Sequence, residues 1–159
     1  MADGEQDAVF EFDRLIGFWK GTCRTWFEPE KLADTSNIEG RFEHVINDKF
    51  VRHRYTGSLK GKERSGEETL MLNRITGKYE VAWMDSFHMN YAIMISTGEG
   101  TERGFSVLGE YDVGGGQPRW GWRTEYVLRS DRRLVIQSYN RTPEGEEALA
   151  IEIDYARAE

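Results

Sequence analysis

Leu15-Ile-Gly-Phe-Trp-Lys-Gly21 contains the change of rhythm that decides the fold, from an apolar residue every third or fourth position to one every second position. Upstream, Val9, Phe12 and Ile16 stand at i, i+3 and i+7 with Leu15 beside them, which predicts a short amphipathic helix over residues 5–16. Gly17 ends it, because glycine tolerates the backbone angles of a helix exit. Downstream, Trp19, Gly21, Cys23, Thr25 and Phe27 alternate with Lys20, Thr22, Arg24 and Trp26, a two-residue period with the charges on one side. The first set is expected to face inward, with the helix folded over the Trp19 indole as a plug. Trp26 falls on the outward face and suggests a contact surface, such as that of a homodimer.

Every later segment repeats the two-residue period, in runs of about eight to twelve residues, the spacing of a sandwich or barrel. The turn signals between them are Asn47-Asp48, Lys60-Gly61, Thr76-Gly77, Glu99-Gly100, Gly114-Gly115-Gly116, Ser130-Asp131 and Pro143-Glu144-Gly145. The expected architecture is all-β: one antiparallel barrel of about ten strands spanning residues 18–157, in a single domain covering 1–159.

Two hairpins separate inside from outside. A two-residue turn at Asn47-Asp48 puts Phe42, His44, Val51, His53 and Tyr55 on one face and Arg41, Glu43, Arg52 and Arg54 on the other. A like turn at Lys60-Gly61 adds Glu68, Leu70 and Leu72 to the apolar face and sets Glu68 opposite His53. Three ionisable groups, His44, His53 and Glu68, are thus expected inside. A buried acid beside an imidazole is costly unless the two pair.

The second half supplies rings. Tyr79, Val81, Trp83 and Asp85 share a face, as do Trp120, Trp122, Tyr126 and Leu128, whereas the faces of residues 91–97 are ambiguous. Tryptophan and tyrosine join a broad apolar surface to one hydrogen-bonding atom and so suit the lining of a pocket. The expected ligand-binding set is His44, His53, Tyr55, Glu68, Trp83, Trp120, Trp122 and Tyr126, for a small hydrophobic or aromatic molecule. Glu68 or Asp85, with His53, is the candidate pair for moving a proton in a dry interior, which leaves an isomerase, cyclase or decarboxylase as the alternative.

Other chemistries find less support. There is no Gly-x-Ser-x-Gly elbow, and the Gly114-Gly115-Gly116 run lacks the Lys-Ser/Thr of a phosphate loop. The single cysteine forms no internal disulfide and supports no cysteine zinc site. No cofactor or metal is expected; haem would have to use His44, His53 or His88, and a metal His44, His53 and Glu68. A net charge of −7 without a basic cluster argues against nucleic acid and anionic membranes as partners. No apolar run reaches the ~20 residues of a membrane helix, and the N-terminus has no signal-peptide pattern, so a cytoplasmic protein is expected.

Gly17-Phe-Trp19 resembles the Gly-x-Trp signature that opens the calycin superfamily of lipocalins and fatty-acid-binding proteins. That resemblance implies a tryptophan packed under an arginine of the last strand, a role that falls to Trp19 and Arg157 in Tyr155-Ala-Arg157. The order Leu-x-Gly-x-Trp-x-Gly, then Thr76-Gly-Lys-Tyr-x-x-x-Trp83-x-Asp85-Ser86, then Tyr-x-Arg is similar to a bacterial lipocalin-like group, domain of unknown function 1579. The sequence departs from that pattern at Asn73, where an aspartate is expected. The resemblance spans nearly the whole chain and implies a fold without implying an activity.

Overall fold

The computed structural model describes residues 9–158. Ten strands follow one another: β1 (Gly17–Glu28), β2 (Lys31–Val45), β3 (Phe50–Leu59), β4 (Lys62–Leu72), β5 (Tyr79–Asp85), β6 (Met94–Thr101), β7 (Gly104–Tyr111), β8 (Trp120–Ser130), β9 (Arg133–Arg141) and β10 (Glu147–Ala158). Each pairs antiparallel with the next, and β1 also pairs with β10, so the sheet closes and leaves no free edge.

Alternation is strict where the sequence alternates. On β5, Tyr79, Val81, Trp83 and Asp85 are buried, and on β8, Trp122, Thr124, Tyr126 and Leu128. The first hairpins adopt the expected register, with Phe42 opposite His53 and His53 opposite Glu68. The β2–β3 connection is wider than two residues, because Ile46, Asn47 and Asp48 all take left-handed backbone angles, but the pairing is unchanged. On β6 the inward residues are Met94 and Ser96, which leaves Ile93 and Ile95 exposed.

Three expectations change. Glu99-Gly100 is not a turn: both residues lie in β6, and the chain reverses after Thr101. The glycines here serve close strand approach, since a Cβ on Gly98 would stand 1.8 Å from the carbonyl oxygen of Ser106. Phe27 is exposed rather than inward, because the β1–β2 register shifts on either side of Trp26 and turns the end of the strand outward.

The third change concerns the plug. Within the described residues the N-terminal segment is an extended stretch with a single 3-10 turn, Phe12–Leu15, instead of a helix; residues 5–8 of the expected helix lie outside the described residues. The carbonyls a helix would use are engaged by side chains. Tyr79 OH donates to Phe10 O at 2.8 Å, Trp19 Nε1 to Leu15 O at 2.8 Å, and Arg157 Nη1 to Ile16 O at 2.7 Å. Phe10 and Phe12 lie two residues apart and both pack on Phe105, a spacing of extended chain. Arg157 stands 4.2 Å from the Trp19 ring, which is fully buried. This end of the barrel is therefore closed by side chains. The opposite end, the mouth, carries the loop 86–93 and the longer β7–β8 and β9–β10 connections.

Candidate functional site

Among the described residues two carboxylates, Glu68 and Asp85, are buried inside the barrel, each at the centre of a polar cluster. Glu68 Oε1 lies 2.7 Å from His53 Nδ1, and Tyr126 donates its hydroxyl to Oε2. His53 Nε2 lies 2.9 Å from Tyr155 OH, and the imidazole stacks flat on Phe42 with 4.2 Å between centroids. An Nδ1–H directed at the carboxylate leaves Nε2 to accept from Tyr155, so each polar atom has a partner. Burial, and then the charge of Glu68, push the Tyr126 and Tyr155 hydroxyls well above the usual phenol range, which keeps both as donors. Gly40 makes this contact sterically open: a Cβ there would stand 2.2 Å from Tyr155 OH.

The second cluster is nearer the mouth. Asp85 Oδ2 accepts from Arg64 Nε at 3.0 Å and from the Tyr55 hydroxyl, while Trp83 Nε1 donates to Tyr55 OH at 2.9 Å. Asp85 Oδ1 accepts from the backbone N–H groups of Phe87 at 2.7 Å and His88 at 2.8 Å. Burial raises the Asp85 pKa, but Arg64, Tyr55 and these two amides outweigh it and hold the carboxyl below its usual range. Asp85 is thus held as an anchoring anion between Arg64 and the residues that follow it.

One carboxylate therefore joins the interior to the loop 86–93. Within that loop Met89 is buried, Phe87 stacks on Phe27 at the rim with 5.7 Å between centroids, and His88 leans on Trp83 at 6.2 Å and Trp122 at 5.8 Å. His88 Nδ1 is buried without a hydrogen-bond partner. Burial, and then the Arg64 charge, push the imidazole from an ordinary 6.5 down to about 4, against the opposing pull of Asp85. Because the closed-state value is the lower one, the stability this residue gives the closed loop is complete above about pH 6.5 and is lost as pH falls through about 4. Hydrogen exchange of the Phe87 and His88 amides, corrected for intrinsic rates, is expected to lose protection across that window, and His88→Asn to remove the dependence. A flat profile in the unaltered protein would contradict this account of the loop.

Most of the expected binding residues meet at one place. His53, Tyr55, Glu68, Trp83, Trp122 and Tyr126 all border an interior cavity of about 30 Å³, with Asp85 adjoining through Tyr55 and Arg64. Trp83 and Trp122 stack there with 5.5 Å between centroids and planes 18° apart. His44 and Trp120 are elsewhere. His44 is close to the end of β2 and turns to Asp13, 2.9 Å away, so it joins neither His53 nor Glu68. Trp120, at the first position of β8, borders an outer groove with Trp26 and Phe27. The reading from sequence missed Arg64, whose position on β4 shares the parity of Glu68, and it missed the hydroxyls of Ser96, Thr124 and Ser138 on the cavity wall. Cys23 is buried near Arg64, and burial pushes its thiol pKa up against the opposing pull of Arg64. No group of three metal-ligating side chains converges among the described residues.

The barrel resembles the S-type phycobiliprotein lyase CPES from Guillardia theta, at 16% identity and a TM-score of 0.60, over 93% of this chain and 90% of that one. A protein of unknown function of the DUF3598 family from Nostoc punctiforme matches at 9% identity and a TM-score of 0.29, over 92% of this chain and 97% of that one. No curated protein matches. Among the described residues no helix is long and apolar enough to cross a membrane. The lyase likeness shows a shared barrel. The family is shown by sequence: the model for proteins of unknown function DUF1579 matches residues 10–157, nearly the whole barrel, and the chain belongs to that family.

Proposed function

We propose that the barrel binds a small, flat, largely apolar molecule at the stacked Trp83–Trp122 pair, with its polar end directed at the Arg64–Asp85 and His53–Glu68 clusters. The observation that carries this reading is the polarity of the wall. A barrel that needs only to be filled is at least as stable with apolar residues, because removing paired charges from water costs about as much as their attraction returns. Here a guanidinium, two carboxylates, an imidazole and several hydroxyls line the same interior as the two indoles.

The closed interior is too small for such a molecule. Its volume of about 30 Å³ holds roughly two waters, whereas ligand pockets run to about 300–1,000 Å³. Binding therefore requires the mouth to open. The fold shared with a phycobiliprotein lyase places a bilin in the panel to be tested, beside fatty acids and flat aromatic acids and amides. Native mass spectrometry and tryptophan quenching are expected to find a binder tighter than about millimolar, equivalent to ~4 kcal/mol. A panel with no such binder would remove this reading.

Glu68 supports a second reading, a proton-transfer enzyme, because it borders the cavity while held by His53 and Tyr126. On an identified substrate, Glu68→Gln is expected to lower turnover by about 10²–10⁴-fold with binding retained; unchanged turnover rules this role out.

A further inference from the structure

We infer that the ligand is an aromatic carboxylate, its acid group taken by Arg64, and that the His88 imidazole occupies the position of its ring until the loop 86–93 moves aside. This rests on the binding reading above and adds the ligand's charge and the group it displaces.

Two groups, the Arg64 guanidinium and the His88 imidazole, support the inference. Arg64 is 4% exposed and borders the cavity. Its Nε donates to Asp85, and its Nη1 stands 3.5 Å from Cys23 Sγ, a weak acceptor. A guanidinium carries donors in a planar fork that matches a carboxylate, so Arg64 offers a second anion the side that Asp85 leaves open. The other is His88 Nδ1, buried and unpartnered, 3.9 Å from Asp85 Oδ1. An imidazole held against two indoles without satisfying its own ring nitrogen marks a position better suited to an apolar ring.

Asp85 couples the two. One of its oxygens holds Arg64 and the other holds the Phe87 and His88 amides. An anion that takes over part of the Arg64 charge weakens the field that keeps Asp85 in place, and with it the anchor of the loop. Entry of the acid and release of the loop are thus linked through a single side chain.

The test compares 2-naphthoate with its neutral counterpart 2-naphthamide at pH 7.5, by calorimetry on the full chain. The unaltered protein is expected to bind the acid about tenfold more tightly, Arg64→Gln to lose that preference, and His88→Ala to bind both probes several-fold more tightly. Equal affinities in the unaltered protein, a preference that persists in Arg64→Gln, or unchanged affinities in His88→Ala each overturn the inference. Should Arg64→Gln not fold, the acid–amide comparison and His88→Ala decide the matter without it. If neither naphthalene binds but another panel member does, this inference fails and the binding reading stands; if no panel member binds, both fail.

Discussion

Arg64→Met is expected to destabilise the protein by about 3–5 kcal/mol, the cost of leaving one member of a buried ion pair without its partner. Arg64 and Asp85 side chains are 5% and 0% exposed, so solvent cannot take over the lost contact. For a domain of this size the loss corresponds to a fall in Tm of about 6–20 °C. The double variant Arg64→Met/Asp85→Leu is expected to recover most of it, since no unpaired charge remains, while the Phe87 and His88 amides stay unprotected for want of Asp85 Oδ1. Urea unfolding of the two variants decides between outcomes. A single-variant cost below about 1 kcal/mol would mean that water reaches the pair.

Trp19→Ala is expected to cost a similar ~3–5 kcal/mol, at the other end of the barrel and by a different cause. The indole is fully buried, lies under Arg157, and donates to Leu15 O. Its removal leaves a void and cuts one of the bonds that tie the N-terminal segment to the barrel. Trp19→Phe keeps most of the apolar volume and loses only the hydrogen bond, so its cost is expected near 1 kcal/mol. Chemical denaturation gives the energies, and limited proteolysis near residues 10–16 reports the release. An Ala variant as stable as the parent would show that the segment, not the indole, closes this end.

The parts of the fold legible in the sequence are those where two signals coincide. Between β2 and β4, turn residues fixed the reversal while charged and apolar residues fixed the faces, so the opposition of His53 and Glu68 followed from counting. Where only one signal was present, a competing physical demand prevailed. Gly100 reads as a turn residue, yet it lies within β6, where a Cβ would stand 3.3 Å from the Tyr79 ring. Val9, Phe12 and Ile16 have helical spacing, but Phe10 and Leu15 are the buried residues, and the carbonyls are claimed by the side chains of Tyr79, Trp19 and Arg157. No local pattern records those partners.

The candidate site divides in the same way. Inward rings on β5 and β8 were legible because they alternate with polar residues. Arg64 was not, because an arginine in an amphipathic strand is ordinarily assigned to solvent, although two-residue counting back from Glu68 through Gly66 reaches it. Gly66 leaves the space above it open: a Cβ there would stand 2.2 Å from Tyr55 OH, the group that bridges Trp83 and Asp85. The position of His88 depends on how Asp85 folds the loop back over the mouth, a consequence of tertiary structure.

The most direct measurement is an indole-selective ¹⁵N NMR titration with 2-naphthoate, or with the tightest member of the binding panel. Each of the five tryptophans gives one Nε1–H signal, and these report separate regions: Trp19 the closed end, Trp26 and Trp120 the outer groove, Trp83 and Trp122 the interior. The account predicts large, saturable shifts at Trp83 and Trp122, with Trp19 unmoved. Shifts confined to Trp26 and Trp120 would place the ligand outside the barrel and contradict it.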